Sequence, residues 1–461
     1  ALYSPAYGRL ARGQKAPVFE LADINGKLYN LTTMESHPML ILYFFDVASR
    51  SSQKGLQVLD DLVKTYVDAD LKVWAITRSD RDMVMEFVSQ SSIDYPFLLD
   101  TSEVSDLYQV HSVLPIICIL GPKLQILDYI EGGGQVIETM IVKLAEKQLQ
   151  RKQPAIAKAI IEDVTRKNPQ NLEAKMVKGY AELKGVDLDA AEKTFRILAQ
   201  SKGQGEILGK EGLVSVYAAR GQYDKALKLA EDVEKMAPDR GHENAVRADI
   251  LYIKGKKNEA QAEYQKAVRK KSAALYQKAV ALNKLGRLQA SAGNLSQARE
   301  LYRQAVTIDP YYIEAYTNSG QTYEKEGKWD KALNAYRQVL VIRKDDVFAA
   351  VLAKRARSMV ALQNDVAKEK RMDELVKRLA ERSRKQKELK PREEDTWTSR
   401  PLIMTFVDLQ EKGGLPEREG FPSILMFQLS NQLSTSGRIQ VVERTLIEKL
   451  IDELNLGSSD L

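Results

Sequence analysis

The 461-residue sequence contains one cysteine, Cys118, and only three histidines. A single cysteine cannot close a disulfide within the chain, and it cannot supply the paired thiolates of a structural zinc site. The histidines His37, His111 and His242 lie far apart and show none of the short spacings typical of metal ligands. These shortages exclude the disulfide-rich and zinc-finger classes, and we expect the protein to bind no metal and no other cofactor.

The sequence also lacks a strong net charge and a long apolar run. The 69 basic and 63 acidic side chains leave a formal charge of only +6, and no basic stripe is interleaved with aromatics. We therefore expect no binding of nucleic acid. No apolar run reaches the roughly 18–20 residues that a membrane-spanning helix needs. The length predicts two to four domains, because a single core stops growing well below this size.

Strands and helices alternate over the first 135 residues. The run 39–45 is short, apolar and rich in β-formers, which indicates a buried strand. Leucines recur at helical spacing over 52–69, and Asp80 is placed to cap a second helix. The other predicted elements are a strand at 71–76, a helix at 102–109, and strands at 114–120 and 124–130. A tight Gly-Pro turn joins the last two strands, which predicts an antiparallel hairpin at the edge of an α/β sheet.

The opening stretch Gly13-Gln-Lys-Ala-Pro-Val-Phe-Glu-Leu21 resembles the start of a TlpA-like thioredoxin or peroxiredoxin-related domain. In that family the first central strand leads into a Trp-Cys-x-x-Cys motif at the head of a helix. The corresponding stretch here is 44–52, with Ala48 in place of the tryptophan. Ser49 and Ser52 stand in place of the two cysteines. The resemblance implies a thioredoxin-like fold over 1–135.

The missing cysteines decide the expected chemistry of this domain. Dithiol exchange needs a thiolate, whereas a serine hydroxyl neither ionises near neutral pH nor forms a disulfide. Ser49 and Ser52 are then predicted to cap the helix. As an alternative, Ser49 would be a hydrolase nucleophile with His111 as its base. Cys118 lies inside the apolar run 116–120 and is predicted to be a packed, inert thiol.

The dipeptide Leu114-Pro115 matches the position of the cis-proline in the same family. In that family the proline faces the active site and its edge meets extended peptide. The resemblance therefore implies a redox-inactive docking domain whose edge near Pro115 is available to a partner.

A second pattern begins near residue 138, where small and aromatic residues recur every 34 positions. Gly286, Gly293, Ala298 and Tyr302 reappear 34 residues later as Gly320, Gly327, Ala332 and Tyr336. This pattern resembles the tetratricopeptide (TPR) repeat, a pair of antiparallel helices that cross closely at small residues. Six units are predicted to start near residues 138, 172, 207, 241, 279 and 313, and a capping helix follows at 347–362. The wider spacing between the fourth and fifth units predicts helices about one turn longer there.

TPR arrays stack into a superhelix whose concave wall binds extended peptides or partner helices. The wall is lined mainly by the first helix of each repeat, so the resemblance assigns partner-binding positions by register. These positions are Met176, Tyr180, Ser215, Asp249, Tyr252, Asn283, Arg287, Thr317, Gln321 and Glu324. Their mixture of polar types lacks the cluster of Lys and Arg that grips a terminal carboxylate.

Beyond the array the composition changes twice. Residues 364–390 are dense in Lys, Arg and Glu, which predicts a solvated helical linker over 363–394. A basic membrane-binding helix is the alternative. A β/α pattern follows, with strands predicted at 401–407 and 437–444 and helices at 421–435 and 445–455.

The run Leu433-Ser-Thr-Ser-Gly-Arg-Ile-Gln-Val-Val-Glu-Arg444 resembles the start of a curli-assembly (CsgG-like) domain. That α/β family occurs in bacterial envelope proteins, including outer-membrane secretion factors. Its domain normally continues further, so 395–461 is expected to be a partial copy.

These features predict a multidomain protein of the α/β plus all-α class. Its parts are a thioredoxin-like domain at 1–135, a TPR α-solenoid at 138–362 and a small, partial α/β domain at 395–461. We expect a non-catalytic scaffold or assembly factor that binds other proteins or peptides. Binding is expected through the concave TPR face and the thioredoxin-like domain.

The combination of resemblances favours the bacterial cell envelope. The chain opens with Ala1 rather than methionine, which suits a protein after removal of a signal peptide. We expect a periplasmic or outer-membrane-associated location. Two alternatives stay open: a structural subunit of a self-assembling surface or extracellular complex, and a thiol or peroxide oxidoreductase that uses Cys118.

Overall fold

The computed structural model describes residues 10–110, 113–132, 135–270, 275–363, 402–406, 417–435 and 439–441, together with positions 374, 376–378 and 381. Its chain divides into two compact units. The first unit is Ala1–Tyr316 with Val341–Lys344, and the second unit is Thr317–Leu340 with Asp345–Leu461. His111, the predicted helix at 445–455 and most of the predicted linker lie outside the described residues.

A five-stranded sheet forms the centre of the N-terminal domain, with strand order β5-β4-β3-β6-β7. The strands in the described part of this domain are β1 (Glu20–Ala22), β2 (Leu28–Asn30), β3 (Leu40–Phe45), β4 (Lys72–Thr77), β5 (Phe97–Leu99), β6 (Ile116–Leu120) and β7 (Ile126–Ile130). β3, β4 and β5 run parallel, whereas β6 and β7 pair antiparallel, so the predicted edge hairpin is confirmed. β1 and β2 form a separate antiparallel ribbon. They and β5 escaped prediction because three residues are too few to show an alternating pattern.

Three helices accompany this sheet: α1 (Arg50–Thr65), α2 (Arg81–Gln90) and α3 (Glu103–Leu107). All six residues of β3 are buried, as expected for a central strand covered on both faces. Asp80 caps α2 as predicted, its side chain accepting a hydrogen bond from the Asp82 N–H. The first helix ends four residues earlier than predicted, because a 3₁₀ turn at Val67–Ala69 leads into Asp70 with a left-handed φ of 49°.

Among the described residues, twelve helices follow as six antiparallel hairpins. They are α4 (Val136–Gln150), α5 (Pro154–Lys167), α6 (Leu172–Lys184), α7 (Leu188–Ala199), α8 (Gln204–Ala219), α9 (Tyr223–Met236), α10 (His242–Ile253), α11 (Lys257–Arg269), α12 (Leu275–Ser291), α13 (Leu295–Ile308), α14 (Ile313–Lys325) and α15 (Trp329–Ile342). α16 (Val347–Gln363) follows as the predicted capping helix. The extra turn predicted between the fourth and fifth repeats lies in α12, which has 17 residues against 12 in α10.

Two kinds of glycine explain the 34-residue period. One kind occupies the hairpin turns with positive φ, a region that disfavours any residue with a Cβ; these are Gly221, Gly255, Gly293 and Gly327. The other kind faces an aromatic ring within the same hairpin. A Cβ at Gly286 would overlap the buried ring of Tyr302, and a Cβ at Gly320 would overlap Tyr336. The recurring pairs are therefore packing requirements.

Within the first unit the helical array binds the N-terminal domain at the amino ends of β3 and β4. The Tyr311 hydroxyl donates to the carbonyl oxygen of Pro38, just before β3, at 2.6 Å. Lys344 forms an ion pair with Asp70, just before β4, at 2.9 Å. The array therefore contacts the amino ends of the central strands, whereas Ser49 follows the carboxyl end of β3.

The second unit contains a small β/α/β element made of β8 (Leu402–Met404), α17 (Phe421–Thr435) and β9 (Ile439–Val441). β8 and β9 pair in parallel, which requires a crossover connection such as α17. The helix has the predicted bounds, while the described strands are shorter than predicted. Ile424 of α17 packs in a core cluster with Tyr336 and Leu352.

Candidate functional site

The head of α1 carries the two serines that replace the expected cysteines. Ser49 is the N-cap residue, and its hydroxyl accepts a hydrogen bond from the Ser52 N–H at 3.3 Å. The Ser52 hydroxyl accepts from the Asp46 N–H at 3.3 Å, and Ser52 is fully buried. Ser49 therefore caps α1 as predicted. Ser52 does not cap the helix, because its hydroxyl binds the backbone of the preceding loop at Asp46.

The Leu114–Pro115 peptide bond is cis, the isomer that the resemblance implied. Pro115 itself is buried, however. The loop after β7 lies against it, because a Cβ at Gly132 would come within 2.9 Å of the Pro115 carbonyl oxygen. The expectation that this edge is open to an extended peptide is therefore wrong at Pro115. The neighbouring Val113 remains half exposed.

A cavity of about 310 Å³ lies at the carboxyl ends of β3 and β4, where α/β sheets commonly bind ligands. Its wall combines apolar and polar side chains: Phe44, Phe45, Asp46, Ile76, Thr77, Arg78, Ser79, Met83, Ser105, Val110 and Leu114. Three of the polar groups bind one another. The Ser79 hydroxyl accepts from Thr77 at 3.0 Å and donates to Asp46 at 3.4 Å. The cavity has no thiol among its lining residues.

Cys118 lies in the middle of β6, between Leu42 of β3 and Tyr129 of β7. Its side chain is fully buried, and this burial raises the pKa of the thiol far above its usual value, with the negative charge of Asp128 adding to the effect. The thiolate is the reactive form of cysteine. Burial therefore removes both the access and the ionisation that a redox role would need.

We expect Cys118 to react with an aromatic disulfide reagent only when the protein unfolds. The native rate should be at least about 100-fold below the rate in guanidinium, because exposing a central strand costs at least about 3 kcal/mol. Cys118→Ser is the matched control and should give no signal in either solution. Peroxide or disulfide turnover that is present in the native chain and lost in Cys118→Ser would overturn the assignment of a packed thiol.

The first helices of the repeats pack side by side in the first unit, in the order α4, α6, α8, α10 and α12. Three predicted wall residues, Met176, Tyr180 and Tyr252, are half-buried on this layer. Tyr180 packs edge-on against Phe195 at 5.1 Å between ring centroids, and the Lys257 ammonium lies 5.9 Å from the Tyr252 ring. Both tyrosines thus make contacts within the array and still leave part of their surface exposed.

Other predicted wall residues connect neighbouring repeats. The Ser215 hydroxyl forms a 2.7 Å hydrogen bond with Nε2 of His242, which joins α8 to α10. Asp249 forms an ion pair with Lys284 at 3.2 Å, which joins α10 to α12, and it also accepts from the Tyr264 hydroxyl. Ser215 and Asp249 thus stabilise the stack of repeats.

Asn283 and Arg287 on α12 are buried, with 0% and 6% of their surface exposed. The Asn283 side chain donates to the Tyr312 hydroxyl at 3.5 Å. The prediction that these two residues line an open wall is therefore wrong, because their side chains are covered within the chain itself.

Three predicted positions lie in the second unit. Thr317 and Gln321 are buried beneath the chain's own residues 417–424. Glu324 accepts from the Tyr336 hydroxyl at 2.9 Å and from Arg355 at 2.6 Å, and burial raises its pKa. The predicted positions Thr317 and Gln321 do lie along a groove, but residues 417–424 of the same chain fill that groove.

Glu243, near the start of α10, is an electrostatic feature that the sequence did not indicate. The side chain is fully buried, and among the residues that the structure describes no other residue donates a hydrogen bond to its carboxylate. Burial raises the pKa of Glu243 from its ordinary 4.5 to about 7. The folded chain therefore takes up a proton that the unfolded chain releases at the same pH.

Glu243→Gln should stabilise the protein above neutral pH. Because the folded-state pKa is raised, the stability of the wild type falls as pH rises from 4.5 to about 7, by roughly 2–3 kcal/mol. The variant lacks this loss, so its advantage in guanidinium unfolding should be small at pH 5 and full at pH 8. Glu259→Gln, at an exposed position on α11, is the control. An equal gain at both pH values would contradict the ionisation argument.

Comparison with known protein families finds three matches within residues 12–345. Residues 12–128 match the family described as AhpC/TSA. Residues 134–287 match a tetratricopeptide repeat-like domain, and residues 272–345 match a tetratricopeptide repeat. The chain joins a thioredoxin-like domain to a TPR array. This agrees with the five-stranded sheet and the helical hairpins described above.

Similar proteins each match about a third of the chain or less. The Small glutamine-rich tetratricopeptide repeat-containing protein 2 of Saccharomyces cerevisiae is 31% identical over 125 residues, 26% of this chain and 36% of that protein. The chain thus spans about a third of the length of that relative. A solved structure, a putative Thiol:disulfide interchange protein DsbE from Chlorobium tepidum, is 18% identical, with 29% of this chain and 98% of that chain covered and a TM-score of 0.27. Peroxidoxin BcpB from Mycobacterium tuberculosis is 21% identical, with coverage of 32% and 97% and a TM-score of 0.27.

Several contacts in and around the site left no signal in the sequence. Arg151 at the end of α4 donates to the carbonyl oxygens of Ala69 and Ile342, which joins the thioredoxin-like domain to the end of α15. Such contacts between distant residues follow no local period. Within the described ranges, no group of His, Cys, Asp and Glu is placed to hold a metal ion. Over the same residues, no helix combines the length and the apolarity needed to cross a membrane.

Proposed function

We propose that this chain is a non-catalytic scaffold that binds other proteins through its TPR array. The observation that carries the proposal is the layer of first helices, on which the side chains of Met176, Tyr180 and Tyr252 are partly exposed. Aromatic side chains and methionine are enriched at protein interfaces. TPR layers of this kind bind extended peptides or helices of a partner.

The thioredoxin-like domain serves as a docking and structural module in this proposal. Support comes from the helix-capping role of Ser49, from the hydrogen bond of the buried Ser52 hydroxyl to the loop before α1, and from the burial of Cys118. The array contacts the domain near Pro38 and Asp70, at the amino ends of β3 and β4. The cavity lies at the carboxyl ends of these strands, away from the array contacts described above. That cavity is the part of the domain that a partner side chain would enter.

We further propose that the scaffold works in the bacterial cell envelope, in the periplasm or at the outer membrane. The support is the resemblance of 433–444 to a CsgG-like domain. The parallel pairing of β8 with β9 across α17 is compatible with such an α/β domain. A partner would then be another envelope protein or one of its peptides.

A photo-cross-linking residue at Tyr252 tests the binding surface directly. In cells of the source organism, we expect it to link to a different polypeptide. The control position is Lys228, which is exposed on the second helix α9. Links of equal yield from both positions, or links only to other copies of this chain, would contradict the proposal; the second result would favour a self-assembling structural subunit.

A further inference from the structure

In the second unit, residues 417–420 lie along α14, next to the predicted wall positions Thr317 and Gln321. The side chain of Asn318 binds the backbone of this segment. Its Nδ2 donates to the Glu417 carbonyl oxygen at 2.9 Å, and its Oδ1 accepts from the Glu419 N–H at 2.6 Å. One amide thus pairs with a donor and an acceptor two residues apart. Such pairing recognises a backbone conformation without regard to the side chains.

Between these two anchor points, Arg418 enters a pocket that matches a guanidinium group. Two of its nitrogens bind the carboxylate of Asp346 at 3.0 and 2.9 Å. Its Nε donates to the Thr317 hydroxyl at 2.9 Å, and its guanidinium lies 4.2 Å from the ring centre of Phe348. Asp346 is 4% exposed, so the charge pair is largely desolvated. A lysine cannot supply this planar fork, and the pocket therefore selects arginine.

The position two residues after the arginine is restricted to glycine. Gly420 has a φ of +114°, and a Cβ there would lie 3.1 Å from the side-chain nitrogen of Gln321. Beyond it, the Ser423 hydroxyl donates to Gln321 at 3.4 Å, and Ile424 is buried in the apolar cluster of the unit. The groove therefore reads an Arg-x-Gly sequence followed by an apolar residue four positions later.

We propose that Thr317, Asn318, Gln321, Asp346 and Phe348 form an arginine-selective peptide site, for which residues 417–420 are the chain's own ligand. The inference rests on the proposed protein-binding function and names the chemistry of one partner segment, an extended Arg-x-Gly peptide. Such a segment must displace the tethered one. Because the competing segment belongs to the same chain, its effective concentration at the site is high, so the site is closed to weak competitors.

The contacts themselves are of an exchangeable kind. They consist of backbone hydrogen bonds, one charge-assisted pair and one cation–π contact, all of which a partner peptide can reproduce without rebuilding the helices. The groove walls belong to α14 and α16, whose packing depends on Tyr336, Leu352 and their neighbours and not on Arg418. Release of residues 417–420 therefore leaves the walls in place, together with the contact that Ile424 makes with them.

The test uses a fluorescent synthetic peptide with the sequence of residues 417–426 and the full-length chain. Arg418→Ala weakens the tethered ligand, so this variant should bind the peptide at least about 10-fold more tightly than the wild type. Adding Asp346→Asn should abolish the gain, and a peptide with alanine in place of its arginine should not bind. Equal affinity for wild type and Arg418→Ala, or a gain that survives Asp346→Asn, would overturn the proposal.

Gly420→Ala provides a second route to the same result, because it strains the segment without touching the arginine pocket. Arg303→Ala, which breaks an exposed ion pair with Glu300 in the first unit, is the control and should leave peptide affinity unchanged. If the peptide binds neither Arg418→Ala nor Gly420→Ala, the proposal of an arginine-selective site is wrong. The cross-links from Tyr252 would still support the proposed protein-binding function. Conversely, if no cross-links form from Tyr252, the peptide experiment can still support the arginine-selective site.

Discussion

Gly209→Ala should lower the free energy of unfolding by about 3 kcal/mol, the upper range for overpacking a core. Gly209 lies on α8 where it crosses α7. A Cβ there would come within 2.5 Å of the Ala199 Cα and 2.7 Å of the Phe195 carbonyl oxygen. These are backbone atoms, so no side chain can rotate away and the two helices must separate. The better helix propensity of alanine returns only about 1 kcal/mol.

The matched control for this prediction is Gly221→Ala at the next hairpin turn. Nothing lies within 4 Å of a Cβ at that position, and only its φ of +72° opposes the substitution. The expected cost is about 1 kcal/mol. Guanidinium unfolding followed by circular dichroism compares the two variants. A Gly209→Ala variant that is no less stable than Gly221→Ala would show that close helix crossing does not limit this array.

Lys147→Met should cost about 3–5 kcal/mol, because it leaves a carboxylate without its buried partner. Lys147 on α4 is fully buried, and its ammonium lies 2.7 Å from Asp128 on β7. This pair connects the first helix of the array to the edge strand of the thioredoxin-like domain. Adding Asp128→Asn should recover part of the loss, because it removes a charge that then faces only the more distant Arg12 at 3.7 Å.

The comparison for this prediction is Lys15→Met. Lys15 pairs with Glu35 at the same 2.7 Å, but the two side chains are 61% and 46% exposed. Exposed pairs contribute about 1 kcal/mol or less, so this variant should differ little from the wild type in thermal or guanidinium unfolding. Equal losses from Lys15→Met and Lys147→Met, or a further loss on adding Asp128→Asn, would contradict the buried-pair argument.

The helical array was predictable because the residues that recur every 34 positions are the ones that close packing of the helices requires. Gly286 and Tyr302 touch within one hairpin, and both recur in the next hairpin at the same spacing. The central strands were predictable for a similar reason, since burial on both faces demands apolar runs such as β3. The end of α1 was not predictable, because the apolar residues keep their helical spacing through Val67–Ala69. The backbone there forms a 3₁₀ turn instead of continuing the α-helix.

The candidate site was predictable only in part. Register placed Thr317 and Gln321 on a groove wall, but the groove is filled by Arg418 and its neighbours, which are about one hundred residues away in the sequence. No local pattern indicates such a contact. The same holds for Pro115, which the resemblance placed at an open edge and which Gly132 helps to cover. Sequence patterns indicate which face of a helix or strand is not needed for local packing. They do not indicate whether a distant segment of the same chain covers that face.

Cross-linking mass spectrometry on the protein captured from its native cells tests the central claim, that this chain binds a different protein through its TPR array. The account predicts cross-links from the lysines beside the helix layer of the first unit, such as Lys257 next to Tyr252, to peptides of another polypeptide. Cross-links found only between copies of this chain would contradict it and would identify a self-assembling structural subunit instead.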